Sequence, residues 1–299
     1  MVVDMKQTAR LGHIPASIEV SSKQALDSGD LPGLFPPGTR VYVTDIGSDE
    51  PSALVKAARR VTDLGYTAVP HFAARRLSTR QAVETQIKSM TQDGGVRDIL
   101  VIGGDLARPV GDYASSMDVL ESGFLEKYGI SHVGVAGHPE GSPNFAEQSA
   151  LEALRMKKSF GERSGIEVRI VTQFGFDGRK QADWAETLLR HGIDLPIHLG
   201  VAGPAKISTL VKYAAACGVG NSIGFLKKNT RSIAALATSH SPEGVVGPIE
   251  THWLQDRETR IEQIHVFPFG GVKKAAQWLE HRGTWDRGRH GELDVSRAE

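Results

Sequence analysis

The polar residues of this chain that could do chemistry recur just after short apolar runs. They are Glu19, Thr44 with Asp45, His71, Asp105, His138 with Glu140, Gln173, and His198. Glu19 and Asp105 form the most telling combination. Paired carboxylates in different surroundings divide labour, one protonated and donating, the other ionised and stabilising positive charge. Such a pair suits an amine leaving group or an iminium-like intermediate, and also glycoside hydrolysis. Sugar sites usually stack rings on aromatics, and only 6% of this chain is aromatic. A metal site from His71, His138, His198 and Asp105 is a further option, but no HxH or HExxH spacing supports it. Each residue also has a plain structural reading. Thr44 and Asp45 can cap a turn, His71 and His198 can be core histidines bonded to a carbonyl, and Gln173 can bridge strands.

Asp98–Asp118, DILVIGGDLARPVGDYASSMD, shows how such a residue is positioned. Ile99 to Ile102 are too few and too β-branched for a helix and read as a strand buried on both faces. Gly103 and Gly104 carry no Cβ and so let another body approach the backbone closely. Asp105 follows at the strand's carboxyl end, and Tyr113 closes a Pro- and Gly-containing loop.

The same strand–loop–helix order repeats along the chain. Strands are expected at Ile14–Val20, Arg40–Ile46, Tyr66–Phe72, Asp98–Gly103, His132–Ala136, Glu167–Phe174, Asp194–Val201 and Gln263–Phe269. Ser48 is read as the cap of a helix starting at Pro51, where Leu54, Ala57, Ala58, Val61 and Leu64 recur at helical spacing. Further helices are expected at Ser78–Gln92 with a Ser cap, Ser115–Tyr128, Phe145–Arg163, and near Arg179–His191 and Pro204–Cys217. Asn221–Ser239, part of Pro248–Gln263, and Val272–His281 complete the helical segments. Strict alternation calls for a parallel sheet with right-handed crossovers. Eight units fit a closed (β/α)₈ TIM barrel in a single domain, with the carboxyl ends of the strands as the active face. A doubly wound sheet is the alternative, but no GxGxxG follows the first strand and precedes a helix. The expected organisation is a leader over 1–13, the catalytic barrel over 14–283, and a polar, partly disordered tail over 284–299.

With 35 basic and 35 acidic residues the formal net charge is zero. That argues against a nucleic-acid partner, which requires a surplus of Lys and Arg. The single cysteine, Cys217, excludes an internal disulfide or a multi-Cys metal centre and reads as a small buried residue. No apolar run has the length of a membrane span, and the N-terminus lacks a secretory apolar core, so the cytoplasm is the default location. Outer barrel helices offer apolar surface for a homo-oligomer.

Four blocks resemble the methylenetetrahydrofolate reductases, flavin-dependent (β/α)₈ barrels. They are SIEV around Glu19, VPHF around His71, IGGDL with DYAS around Asp105 and Tyr113, and VTQFGFD around Gln173. GHPEGSPN is similar to the family's flavin loop. The resemblance implies reduction of 5,10-methylenetetrahydrofolate to 5-methyltetrahydrofolate, with FAD as cofactor and NADH or NADPH as co-substrate. It implies Glu19 as general acid toward the folate nitrogen, and Asp105 beside the flavin and the pterin. Gln173 would bind the folate. It further implies FAD contacts at Thr44, Asp45, Gly47, His71, Gly103, Gly104, Asp105, Tyr113, Ala114, His138, Ser142 and Lys157.

The departures bear on function. EVSSK replaces the family's E-F-F-P-P, and Gly103 stands where an arginine often precedes Gly-Asp. His138 and Ser142 replace a tyrosine and a histidine of the flavin loop, Ile207 an aromatic that packs the nicotinamide cofactor, and Gly271 an arginine that helps bind substrate. Two other functions therefore stay open. One is a folate barrel with a different electron partner, or one running oxidatively in demethylation metabolism. The other is a flavin-free folate-binding or methyl-transferring protein.

Overall fold

The computed structural model describes residues 12–44, 50–142, 145–216 and 239–286. Eight parallel strands close into a barrel: β1 (Ala16–Ser21), β2 (Arg40–Thr44), β3 (Thr67–Ala73), β4 (Asp98–Ile102), β5 (His132–Gly137), β6 (Glu167–Gly175), β7 (Ile197–Ala202) and β8 (Ile261–Phe267). Each strand pairs with its sequence neighbours, and β8 closes the ring against β1. The chain is a (β/α)₈ barrel. A two-residue antiparallel ladder, Ala205–Lys206 with Ser239–His240, lies outside it.

Alternation along each strand sends one set of side chains outward and the other into the barrel. The outward set, including Ile18, Val41, Val43, Val133 and Val135, packs against the helices in one large core. The α2 helix (Pro51–Asp63) contributes Leu54, Ala57, Ala58 and Val61 to it, the helical spacing read in the sequence. The remaining helices are α1 (Ser22–Asp27), α3 (Arg80–Gln92), α4 (Ser116–Leu120), α5 (Phe124–Lys127), α6 (Glu147–Ser164), α7 (Gly178–Arg190), α8 (Ile207–Ala216), α9 (Glu243–Gln255) and α10 (Val272–His281).

Several boundaries differ from the sequence reading. Thr79, not Ser78, caps α3, its Oγ1 accepting the Ala82 N–H at 3.2 Å. The single helix expected over Ser115–Tyr128 is two, because Gly123 adopts φ 77° and Ser122 Oγ accepts the Phe124 N–H to start a new turn. Strand β7 begins at Ile197, since Pro196 has no N–H for a ladder. Residue Glu50 precedes α2 without a side-chain cap, and Ser48, Cys217 and the segment 221–238 lie outside the described residues. Trp285, inside the stretch read as a polar tail, is buried beside Phe35 and donates to the Ala16 carbonyl at 3.3 Å. Among the described residues no helix is long and apolar enough to cross a membrane.

The α7–α9 contact depends on one glycine. A Cβ on Gly178 would lie 2.0 Å from the Val245 carbonyl oxygen, a backbone atom that cannot swing aside. Gly178→Ala is expected to cost about 1–3 kcal/mol by overpacking, read as a lower denaturant midpoint.

Candidate functional site

The barrel interior is polar in two layers. In the lower one, near the amino ends of the strands, Asp98 of β4 and Arg169 of β6 form an ion pair at 2.8 Å, each about 95% buried. Arg169 also donates to the Tyr42 hydroxyl from Nε at 3.0 Å and from Nη2 at 2.9 Å. Arg40 reaches Asp98 from the rim at 3.2 Å. Burial opposes the charge on Arg169, but Tyr42 and Asp98 more than offset that and hold it firmly protonated. Burial also pushes the Tyr42 phenol up, so it stays neutral and accepts.

His198 belongs to this layer, correcting its expected place at the carboxyl end of its strand. It is the second residue of β7, and its Nδ1 accepts from Gln263 Nε2 at 3.0 Å. Burial, followed by the Arg169 and Arg40 charges, pulls its pKa well below the usual imidazole range. His198 is thus a neutral core histidine, the bland reading of that residue.

The upper layer opens toward the carboxyl ends. Ser17 and Glu19 share the inward face of β1, and Ser17 is the register partner of His265 on β8. Ser17 Oγ lies 2.9 Å from His265 Nδ1, and His265 Nε2 lies 3.3 Å from Glu19 Oε1. With Ser17 donating to Nδ1, the Nε2–H points at Glu19, a tautomer assigned from the network. His71 Nε2 approaches the same oxygen at 3.7 Å. The Tyr42 ring lies 4.3 Å from the His265 ring and ties the two layers together. Glu19 therefore keeps an open edge at the mouth while its inner oxygen sits between two imidazoles. Such a carboxylate can hand a proton to a substrate and be re-protonated from behind. Ser17 and His265 were not singled out in the sequence. The signal was there, since Gln263, His265 and Phe267 alternate along the last strand.

Asp105 stands apart. It is exposed beyond β4, and Arg76 grips both its oxygens, with Nε 3.0 Å from Oδ1 and Nη2 2.9 Å from Oδ2. The Arg76 hydrogen bonds hold its carboxyl below the usual carboxylate range, so it is ionised. The two carboxylates thus occupy different environments, Glu19 inside the mouth and Asp105 on an arginine outside it. Gly104 has φ 86°, and a Cβ there would press the Ala73 side chain at 3.3 Å.

Beside the mouth lies a cavity of about 560 Å³. Gly103, Ala114, His138, Ser142 and Lys157, from the loops after β4 and β5 and from α6, all line it. Gly137 must be glycine here, because its Cβ would fall 2.5 Å from Ile170 and 2.8 Å from Trp184. Lys157 occupies the buried face of α6 between Leu154 and Phe160, is 7% exposed, and has no ion pair or hydrogen bond among the described residues. Burial brings its pKa down to about 8. Burial and then the Lys157 charge push His138 down to about 4, so it is neutral, with Phe145 edge-on at 5.0 Å. A lone buried ammonium is costly, and an anionic ligand offsets that cost.

The remaining expected residues divide. Thr44 Oγ1 donates to the Val20 carbonyl at 3.4 Å and joins β2 to β1. Tyr113 is buried in the hydrophobic core. Gln173 is half-buried on β6, inside an irregularity where Thr172 Oγ1 accepts the Gly200 N–H at 2.8 Å. Asp45 and Gly47 lie outside the described residues.

Lys157 gives a signed expectation for stability. Its folded pKa, about 8, is below the unfolded value of 10.5, so the penalty is full below pH 8 and fades as pH rises between those values. Lys157→Met in the ligand-free protein should be more stable at pH 7 by up to about 3 kcal/mol. That gain should shrink on raising the pH to 10, as measured by denaturant unfolding.

No protein-family model matches the chain. Among solved structures, a type I 3-dehydroquinate dehydratase from Clostridium difficile, with covalently modified comenic acid, is similar at a TM-score of 0.38 and 12% identity, covering 64% of this chain and 76% of that one.

Proposed function

We propose that the chain is a cytoplasmic, flavin-dependent methylenetetrahydrofolate reductase that takes its electrons from NADH or NADPH. The observation that supports this best is the gathering of Gly103, Ala114, His138, Ser142 and Lys157 around one cavity beside the mouth that holds Glu19. Those residues fit FAD. Buried, unpaired Lys157 suits a ligand diphosphate, while Ala150, Ala153 and Leu154 give an apolar wall for a nucleoside. FAD, when bound, supplies the hydride.

The chain's own groups do the rest. Glu19 donates a proton from its outer oxygen to the folate nitrogen as the methylene bridge opens to an iminium, while His265, oriented by Ser17, donates to Oε1 and holds the carboxyl in place. Gln173, half-buried on β6, binds the folate, while Asp105 stays ionised on Arg76 outside the mouth and carries no step here. Glycines 103 and 104 keep side chains away from the ring's edge.

A second reading keeps the folate barrel but replaces the nicotinamide with another electron partner. Ile207 favours it, standing at the start of α8 where the resemblance implies an aromatic that packs the nicotinamide. Steady-state NADH and NADPH oxidation, with and without 5,10-methylenetetrahydrofolate, tests the first reading. Folate-dependent oxidation and formation of 5-methyltetrahydrofolate are expected. Folate reduction by dithionite-reduced protein, with neither nucleotide consumed, would favour the second.

A further inference from the structure

We propose that Arg75 is a ligand-binding residue and forms, with Lys157, a two-part cation clamp for the diphosphate of a bound nucleotide. The inference deepens the flavin reading above and rests on it for the identity of the ligand as FAD.

Arg75 follows β3 in the tight turn Ala74–Arg76 and lines the same cavity as Lys157. Its backbone is pinned on both sides, N–H to the Gly103 carbonyl at 3.0 Å and carbonyl to the Val110 N–H at 2.9 Å. Its side chain donates from Nε to the Gly103 carbonyl at 3.2 Å and from Nη2 to the Gly104 carbonyl. Those two bonds fix the guanidinium but leave N–H groups to spare, because arginine carries five. No carboxylate pairs with it among the described residues, since Asp105 is taken by Arg76.

The guanidinium crosses directly over Gly103, where a Cβ would lie 3.6 Å from Arg75 Nη2, in van der Waals contact. The cation missing at position 103 is thus delivered from the neighbouring strand's loop. The charged groups lining the cavity are Arg75, Lys157 and Lys180 against Glu140 and Glu147, with His138 neutral. The lining thus carries a net charge of one positive, and its fixed guanidinium and buried ammonium suit the oxygens of a diphosphate.

The test is calorimetric titration of the full-length protein with ADP, adenosine and FAD. The variants are wild type and Arg75→Gln, whose amide can still donate to the two glycine carbonyls without carrying charge. Lys157→Met, which removes the clamp's other cation, should lose the same ADP and FAD affinity and serves if the glutamine variant does not fold. Arg75→Gln should weaken ADP and FAD by about tenfold to a hundredfold and leave adenosine within twofold. Unchanged FAD affinity in the variant would remove the clamp and leave the flavin reading standing. Equal loss for ADP and adenosine would make Arg75 a structural residue and also overturn the proposal. Wild-type protein that binds ADP through Arg75 but not FAD would keep the clamp and remove the flavin reading.

Discussion

Glu19→Gln is expected to leave the protein folded and coloured by its cofactor while lowering folate reduction by about 10²–10⁴-fold, the usual worth of a positioned general acid. The amide has the shape of the carboxyl and can still accept from His265, 3.3 Å away, so the mouth keeps its form. What it cannot do is release a proton to the folate nitrogen. Oxidation of NADH by an artificial electron acceptor does not need that proton and should stay within about twofold of wild type. Measuring both half-reactions on one preparation separates the roles. Equal loss of both would mean that Glu19 shapes the site rather than donating in it.

Arg169→Leu is expected to be the most damaging single change to the fold. It removes the buried partner of Asp98, which is about 95% buried and keeps only Arg40 on Oδ2, and it removes both donors to the Tyr42 hydroxyl. Breaking one side of a buried pair typically costs about 3–5 kcal/mol, a large share of a domain's total of about 5–15 kcal/mol. Arg40, at the rim with its side chain 34% exposed, cannot replace Arg169 from below. The double variant Arg169→Leu/Asp98→Leu removes the stranded charge, so it should be less destabilised than Arg169→Leu alone. Urea unfolding of the two variants with wild type gives the comparison. A double variant weaker than the single would show that the apolar pair does not fit the barrel interior.

The fold was legible because strands buried on both faces appear as short β-branched runs, and eight recur with helices between them. Their outer faces follow simple alternation, as in Val41 and Val43 of β2. The inner face was much less legible. Asp98 and Arg169 sit within or at the edge of such runs, and only closure of the barrel shows that they meet. His265 looked like one histidine in an apolar strand, and its value comes from a register with Ser17 that crosses almost the whole chain. His198 was misplaced because Pro196 delays the start of β7. Lys157, by contrast, stood at the spacing of Leu154 and Phe160, so its burial could be read from the helix alone. Arg75 carried no sequence signal, since nothing local says that its side chain crosses to the Gly103 and Gly104 carbonyls.

The most direct measurement is the visible absorption spectrum of the purified protein, followed anaerobically through reduction and then addition of 5,10-methylenetetrahydrofolate. Flavin bands that bleach with NADH or NADPH and return when the folate is added are expected, with 5-methyltetrahydrofolate as product. A colourless protein that acquires no flavin bands after incubation with FAD would contradict the reductase reading. So would a reduced flavin that the folate leaves bleached.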